Sequence, residues 1–416
     1  IFIINGNETK IVFGCPFETL KQILRQYEAS EAPADFGPFC GGAIGYFSYE
    51  TRFFTEKLSC KNLDDLNLPD GYFSFYDALF CFDHLEKKAR IISTGLPESS
   101  TISKKQKAQK RIEEFNRIID ESQKISFPPT RIIKNPLIHS NFSKNEYIDA
   151  VKKAKKYIFE GDIFQVNLSQ RFKSSITIPH FDLYKRLRRV NPAPFAAFLN
   201  VGNFSIVCSS PERFLRINND LIETRPIKGT RPRGTTPFKD QTNAIELLES
   251  PKDNAELTMI VDLERNDLGK ICEPGSVNAV LPPLLEAHPT VFHLVGEVTG
   301  RLRKGVHHVD CIKSLFPGGS VTGAPKIRAM EIIDELEPNS RGIYTGALGY
   351  FSFNRQTDLN IVIRTIIIKD DQTYFHTGGG IVMDSDPEME YQETLDKAKA
   401  LIESISKSMH LELIGE

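Results

Sequence analysis

Residues 343–383, IYTGALGYFSFNRQTDLNIVIRTIIIKDDQTYFHTGGGIVM, contain three apolar runs separated by short polar segments. The runs at 343–353, 359–368 and 374–383 are rich in aromatic and β-branched residues, which is typical of β-strands. Strands that follow one another after short turns pair antiparallel, because a parallel pair needs a long crossover connection. This stretch therefore predicts part of a large, mainly antiparallel sheet.

The rest of the chain adds both strands and helices. Strand-like runs occur at 163–172 and 204–208. Ser143–Glu146 has the capping-box pattern, which predicts a helix that begins there and ends near Glu160, before Gly161. Other helices are predicted near 243–262, 325–336 and 388–406. This mixture, with strands often consecutive, indicates an α+β protein.

The chain divides into three predicted parts. Short strand-like runs and a polar helix near residues 100–124 make up an N-terminal region, residues 1–125. The Ser-Phe-Pro-Pro-Thr segment at 126–130 breaks that helix and opens a predicted linker, residues 126–142. Residues 143–410 form a larger predicted C-terminal domain.

The composition is that of a globular protein with an ordinary core. Of 416 residues, 40% are hydrophobic and 25% are charged, and the net charge of −2 gives no reason to expect nucleic acid or a membrane surface as partner. The seven cysteines form no C-x-x-C pair, which indicates reduced thiols in a cytoplasmic protein. The opening residues lack a secretion signal, and their strand-like pattern without an initiator methionine indicates that residues precede Ile1.

Lys228 lies in a cation-rich segment, Arg225-Pro-Ile-Lys-Gly-Thr-Arg-Pro-Arg-Gly234, that is predicted to be a turn. A lysine is nucleophilic only when neutral, and repulsion from the three neighbouring arginines would lower its pKa. The same arginines would suit an anionic substrate. The alternative is a solvated basic turn, which is the usual environment of lysine.

Two acidic helix faces are candidates for a metal site. Glu249, Asp253 and Glu256 are spaced i, i+4, i+7 on one predicted helix, and Glu390 and Glu393 are spaced i, i+3 on another. Carboxylates from two helices, without a cysteine or histidine cluster, favour a hard ion such as Mg²⁺. The alternative is two solvated acidic surfaces.

Two glycine-rich segments could bring backbone amides close to an anion. Gly318–Lys326 precedes a helix but has Ala324 and Pro325 where a phosphate loop needs lysine and a hydroxyl, so nucleotide binding is rejected. Gly378–Gly380 follows a strand and could approach a carboxylate, although a bulge or turn explains the glycines equally well.

Three further polar residues lie in apolar or constrained surroundings. Arg364 interrupts an apolar strand, which is costly unless an anion pairs with it; a structural ion pair is the alternative. His293 lies among apolar residues and is either functional or a satisfied core histidine. Glu212 is either a general acid/base or the partner of Arg213.

Taken together, these segments resemble the chorismate-utilising enzyme family. The similarity spans about residues 143–405, with a looser match at 41–47. The matching blocks are 161–172, 225–234, 259–269, 293–295, 316–326 and 378–397. The resemblance implies the family's fold, a large, mainly antiparallel β-sandwich flanked by helices.

The resemblance also implies a reaction. The aminodeoxychorismate synthase branch of the family has lysine at the position of Lys228, where anthranilate synthases typically have alanine. Family members that use water carry a lysine at the position of Gln165, and Asn167 also favours the aminodeoxychorismate branch. The implied activity is amination of chorismate at C4, in folate precursor synthesis. Anthranilate formation and a catalytically silent, amidotransferase-binding subunit remain the alternatives.

Residue roles follow from the same resemblance. Lys228 would attack C2 of chorismate, Glu212 would protonate the departing hydroxyl, and His293 would lie beside the reacting ring. Matches to the Mg²⁺ ligands are Glu256 and Glu393, with Glu390 nearby. Matches to substrate contacts are Gly229, Thr230, Ser320, Tyr344, Arg364, Gly378, Gly379 and Gly380.

Two binding partners are implied besides the substrate. The chain shows no glutaminase signature, so a separate glutamine amidotransferase subunit would supply ammonia. Members of the family often have a tryptophan pocket, but the Leu-Leu-Glu-Ser element that borders it occurs here at 247–250, in a different region. The residues expected to form such a pocket are Gly41, Gly42, Ala43, Ile44, Asn191, Pro192, Ala193, Pro194 and Phe195.

Overall fold

The structure is a computed structural model that describes residues 1–6, 8–28, 37–59, 62–122 and 137–406, and the backbone of 413–415. These residues contain the helices α1 Pro16–Arg25, α2 Thr101–Ser122, α3 Lys144–Phe159, α4 His180–Val190, α5 Pro237–Leu248, α6 Pro251–Gly269, α7 His308–Leu315, α8 Lys326–Leu336 and α9 Pro387–Ile405. They contain the strands β1 Phe2–Asn5, β2 Glu8–Ile11, β3 Gly42–Phe47, β4 Gly71–Tyr76, β5 Ala78–Asp83, β6 Lys88–Ser93, β7 Ile138–Ser140, β8 Gln165–Ser175, β9 Phe195–Asn200, β10 Phe204–Ser210, β11 Arg213–Asn218, β12 Leu221–Arg225, β13 Ile227–Pro232, β14 Asn278–Ala287, β15 Val291–Arg301, β16 Gly323–Ala324, β17 Ala347–Ser352, β18 Gln356–Ile361, β19 Thr365–Lys369, β20 Gln372–Ile381 and β21 Leu413–Gly415.

Two large sheets dominate the described part of the chain. One has the order β21-β7-β8-β20-β19-β10-β9, with β16 added to β8. The other has the order β13-β15-β12-β11-β18-β17-β3-β4, with β14 added to β15. Every described pair in these sheets is antiparallel except β21 with β7. The α+β fold with large antiparallel sheets is therefore confirmed.

The two sheets pack on each other. A cluster of buried residues includes Tyr46 and Leu348 from one sheet and Ile206 and Ile367 from the other. Helices cover the outer faces: α6 and α7 pack on the sheet that contains β15, and α4 and α9 on the sheet that contains β20. No helix in the described residues combines the length and apolar character needed to cross a membrane.

The stretch 343–383 forms four strands, where the sequence predicted three. The predicted strand 359–368 is two strands, because β18 ends at Ile361 in one sheet and β19 begins at Thr365 in the other. Arg364 lies at this crossing with φ +51°, and its carbonyl accepts from the Ser209 amide. Arg364 is therefore at the break between two strands and not inside one.

The helix predicted at 243–262 is likewise two helices. Pro251 cannot continue a helix from its preceding turn, so α5 ends at Leu248 and the Ser250 side chain caps α6. Glu249 is the C-cap residue of α5, whereas Asp253 and Glu256 lie on α6. The prediction that these three acids share one helix face was wrong. Glu390 and Glu393 do share α9.

The N-terminal strands β3 and β4 extend the sheet of β17. Residues 126–136 of the predicted linker lie outside the described residues, and its last residues form β7. The division into residues 1–125, 126–142 and 143–410 stays a prediction.

Candidate active site

Lys228 lies in a strand and not in a turn. β13 pairs with β15, and the register shifts between Lys228 and Thr230. Gly229 makes this shift with φ +79°, and a Cβ on Gly229 would lie 2.8 Å from Leu247 Cδ1. Only glycine fits both constraints without strain. The irregular register directs the Lys228 side chain into the site.

Burial lowers the pKa of Lys228, and Lys397 adds to this effect, whereas Glu256 and Glu212 oppose it. The Lys228 Nζ donates to the Ser320 carbonyl at 3.3 Å. The direction of the predicted pKa shift is therefore found in the structure, with a different cause.

The three arginines near Lys228 are each balanced by a carboxylate. Ion pairs of 2.6 to 3.0 Å join Arg225 to Glu286, Arg231 to Asp253 and Arg233 to Asp240. These ion pairs largely neutralise the positive charges of the three arginines, which therefore have little effect on the lysine. Desolvation is what favours the neutral amine.

Glu212 lies between β10 and β11, where its side chain is only 5% exposed. Its Oε1 accepts from the Ile227 amide at 3.4 Å, next to Lys228. Burial raises the pKa of the carboxyl, and Ser320 and Lys228 partly offset the rise. Arg213 pairs with Asp358 and Glu223, so the alternative role of Glu212 as its partner is not what the structure shows.

The neutral amine of a lysine and the protonated carboxyl of a glutamate are each the less populated protonation state at neutral pH. With ordinary pKa values, about one molecule in 10⁶ would hold a neutral lysine and a protonated glutamate together at pH 7. The shifts at Lys228 and Glu212 run in the directions that enlarge this fraction. The pair is therefore electrostatically suited to nucleophilic attack coupled to acid catalysis.

His293 lies on β15 beside this pair. Its Nδ1 shares a hydrogen bond of 3.0 Å with Thr230 Oγ1. Burial lowers its pKa to about 4, and His288 and Arg364 contribute. The ring is therefore neutral at physiological pH, and it could exchange hydrogen bonds with a substrate without adding charge.

Arg364 and Tyr344 form a basic and aromatic corner of the site. Arg364 makes no ion pair with a carboxylate in the described residues, so the structural ion pair considered from the sequence is not found there. Its guanidinium donates to the Lys397 carbonyl, and burial lowers its pKa. Tyr344 stacks on His376 at 4.8 Å between ring centroids. A half-buried cation without a counterion favours binding of an anion.

The predicted metal ligands Glu256, Glu390 and Glu393 approach each other from α6 and α9. Burial is the main cause that raises the pKa of Glu256 and of Glu390, and repulsion from Glu393 adds to both. At Glu393, burial is outweighed by Lys397, Lys252 and Lys228, so its pKa is lowered. The spacing of these acids also allowed two solvated helix faces, and their role as metal ligands, which the resemblance implies, stays a prediction.

The donor set of these carboxylates fits Mg²⁺. A Cβ on Gly379 would lie 3.0 Å from Glu390 Oε2 and 3.3 Å from Glu393 Oε1, so the glycine leaves room between strand and helix. The Lys397 ammonium lies 2.6 Å from Glu393, where a cation is favoured. Among the described residues, no group of three or more His, Cys, Asp or Glu already has metal-binding geometry. An ion held here would keep several waters.

Gly378–Gly380 lie within β20, paired with β8, and not in a loop. A Cβ on Gly378 would lie 2.4 Å from the Leu168 carbonyl, and one on Gly380 would lie 2.1 Å from Gln165 Nε2 and 3.5 Å from Lys228 Nζ. These glycines let side chains pack directly over the strand. Pairing with β8 engages part of the amides of this segment, so fewer of them are available to an anion than a loop would offer.

The resemblance used Gln165 and Asn167 only to distinguish branches of the family, and the structure places both residues beside Gly380, near Lys228. Both are at least nine-tenths buried, and neither Gln165 Oε1 nor Asn167 Oδ1 has a hydrogen-bond partner. Alternation along β8 places them on one face. Buried acceptors without donors favour a bound N–H or O–H group.

The Gly318–Lys326 segment contributes through Ser320. Gly319–Val321 form a 3₁₀ turn whose Ser320 carbonyl receives the Lys228 ammonium group. Lys326 is engaged elsewhere, because it lies 2.6 Å from Asp267 and donates to the Leu315 carbonyl. Glu264, which local sequence did not single out, is buried against Gly319, and burial raises its pKa to about 7.

A separate cavity of about 590 Å³ includes three residues of the predicted tryptophan pocket: Ile44, Pro194 and Phe195. The other six predicted residues do not line it. Ile227 lines this cavity next to Lys228 in sequence, so the cavity and the lysine lie on opposite faces of β13. Tryptophan binding stays a prediction.

Comparisons with known proteins identify relatives of this chain. A profile of the family described as chorismate binding enzyme matches residues 4–403. Aminodeoxychorismate synthase component 1 of Bacillus subtilis (strain 168) is 39% identical over 409 residues, which are 98% of this chain and 85% of that protein. Anthranilate synthase component 1 of Acetivibrio thermocellus is 41% identical over 413 residues, 97% of this chain and 82% of that protein.

A solved structure is also similar to this chain. The crystal structure of anthranilate synthase component I from Streptococcus pneumoniae TIGR4 has a TM-score of 0.82 and 34% identity, and the match covers 94% of this chain and 86% of that one. Both kinds of synthase are similar to this chain to about the same extent, so identity does not distinguish their reactions. On the profile match and these relatives, the chain belongs to the family of chorismate-utilising enzymes.

Proposed function

We propose that this protein is an aminodeoxychorismate synthase component I, which aminates chorismate at C4 through a covalent adduct on Lys228. The observation that carries the proposal is the pairing of a buried lysine of lowered pKa with a buried carboxylic acid of raised pKa. Direct amination at C2 would not require a lysine in the pocket.

The first step forms the adduct. The neutral Lys228 amine attacks C2 of chorismate, the ring double bonds shift, and the C4 hydroxyl departs as water with the proton from Glu212. The products are a secondary ammonium at C2, the Glu212 carboxylate and one water. Desolvation supports this step because it favours both the neutral amine and the protonated acid.

The second step releases the lysine. Ammonia adds at C4, the double bonds shift back, and Lys228 leaves C2 as a neutral amine. A proton from the new C4 ammonium restores the Glu212 carboxylic acid. The sum is chorismate plus ammonia giving 4-amino-4-deoxychorismate plus water.

Arg364 and the carboxylate cluster suit the two carboxylates of chorismate. Arg364 has no carboxylate partner in the described residues and lies beside Tyr344, where it would receive the enolpyruvyl carboxylate. Glu256 and Glu393, with Glu390, would hold Mg²⁺. A bound Mg²⁺ neutralises a substrate carboxylate and shields it from these glutamates.

Replacing Glu256 by glutamine is expected to raise the Mg²⁺ concentration for half-maximal activity by about 10-fold or more, since it removes one anionic ligand. Chorismate consumption measured across a Mg²⁺ titration checks this. Glu249→Gln is the matched control, because Glu249 is exposed at the end of α5. A Glu256→Gln protein with the unchanged Mg²⁺ requirement would remove Glu256 from the ligand set.

Ammonia would come from a glutamine amidotransferase subunit. Within the pocket, the unpartnered Gln165 and Asn167 oxygens are acceptors to which ammonia could donate. Neither group is a strong base, which suits a nucleophile that needs no deprotonation before attack.

The reaction is tested with the purified chain, chorismate, Mg²⁺ and ammonium salt, without an amidotransferase. The expected product is 4-amino-4-deoxychorismate, identified by chromatography and mass. Anthranilate as the dominant product would favour the anthranilate synthase alternative. Absence of turnover, with chorismate still bound, would favour the silent subunit.

A further inference from the structure

Arg341 is a buried arginine outside the residues described so far, in the segment between α8 and β17. Its side chain is 1% exposed and makes two hydrogen bonds with Glu337, of 2.9 and 2.7 Å. Two further bonds go to main-chain carbonyls, of Val321 at 2.9 Å and of Asn167 at 2.8 Å. The guanidinium therefore joins three segments that are distant in sequence.

Each of those segments carries part of the pocket. Val321 follows Ser320, whose carbonyl receives Lys228. Asn167 pairs with Gly380 in β20, and its own side-chain oxygen is an unpartnered acceptor. The guanidinium also lies 5.7 Å from the ring of Tyr344. One planar group thus fixes the Lys228 acceptor, the β8 strand and the aromatic corner relative to each other.

We propose that Arg341, held in place by Glu337, is a positioning residue that sets the chorismate pocket. Glu337 adds a second fixed point, because its Oε1 accepts from both the amide and the hydroxyl of Ser169 on β8. A lysine cannot replace this arrangement, since its ammonium is a point charge without the planar fork of donors. The proposal rests on chorismate as substrate but not on the position at which it is aminated.

Arg52 offers a control for purely structural effects. It is 1% exposed, pairs with Asp334 at 2.6 Å and lies over the same Tyr49 ring as Arg341. Its hydrogen-bond partners are Glu50 and Asp334, and neither belongs to the pocket. Replacing Arg52 by lysine removes a comparable buried guanidinium without touching Asn167 or Val321.

The test compares Arg341→Lys with Arg52→Lys in the full chain. Thermal unfolding gives each Tm, and chorismate consumption with ammonium gives kcat and KM well below both Tm values. Both variants are expected to have a lower Tm. Arg341→Lys should raise KM for chorismate by about 10- to 100-fold, the scale of a small misplacement of binding groups. Arg52→Lys should leave KM within about 2-fold.

Equal changes of KM in the two variants, or an unchanged KM in Arg341→Lys, would overturn the proposal. If Arg341→Lys does not fold, Glu337→Gln is measured in its place: it keeps the side-chain shape and removes the charge that holds Arg341. A raised KM is again expected there, and an unchanged one again contradicts the proposal. Because the readout is chorismate loss, an anthranilate product would refute C4 amination and leave this test intact.

Discussion

Glu212→Gln is expected to lower kcat by about 10²- to 10⁴-fold, the usual contribution of a general acid. The amide keeps the size of the side chain and can still accept from the Ile227 amide, but it has no acidic proton to transfer to the departing hydroxyl. Initial rates of chorismate consumption at saturating Mg²⁺ and ammonium measure the loss. Glu246→Gln, the same change at an exposed position of α5, is the control and should retain full activity.

The pH profile separates this role from a structural one. Activity requires neutral Lys228 and protonated Glu212, so kcat/KM rises as Lys228 loses its proton and falls as Glu212 loses its own. Burial raises the pKa of Glu212, so that decline lies above the ordinary range of a carboxyl. In Glu212→Gln the remaining activity should no longer show the alkaline decline. An unchanged profile would assign the acid to another group.

Strands and helices were predictable where a local pattern of apolar or capping residues marks them. The apolar runs of 343–383 overlap the strands β17 to β20, and the Ser143 capping box begins α3 as predicted. The crossing at Arg364 was not predictable, because IVIRTIII has no glycine or proline to mark a change of sheet. It is imposed by the pairing of β18 with β11 and of β19 with β10, both of which are distant in sequence.

Site residues were predictable in kind but not in environment. The sequence marked Lys228 as a candidate nucleophile, yet the cause it gave was the adjacent arginines. Their carboxylate partners, such as Glu286 for Arg225, lie up to 61 positions away and leave no local signal. Arg341 was missed for the same reason, since its acceptors at Asn167 and Val321 are 174 and 20 positions away. Local sequence cannot show which distant backbone a buried side chain reaches.

Lys228→Ala is expected to abolish the covalent adduct and to move amination from C4 to C2. Without the amine, nothing occupies C2, and ammonia can attack that carbon directly. C4 amination should fall by about 10³-fold, which corresponds to about 4 kcal/mol of transition-state stabilisation. Intact-mass spectrometry after mixing with chorismate measures the adduct, and the products are identified by position of the nitrogen.

Two variants make this result specific to the Lys228 amine. Lys239→Ala removes an exposed lysine from α5 and should leave adduct and product unchanged. Lys228→Arg fills the space but cannot become a neutral nucleophile, so it should lose the adduct without opening room for ammonia at C2. Undiminished adduct mass in Lys228→Ala would refute the role of the lysine. Both variants lose the nucleophilic amine, but only Lys228→Ala leaves space for ammonia at C2. A C2 product from Lys228→Ala but not from Lys228→Arg would therefore show that the lysine directs the nitrogen by occupying C2.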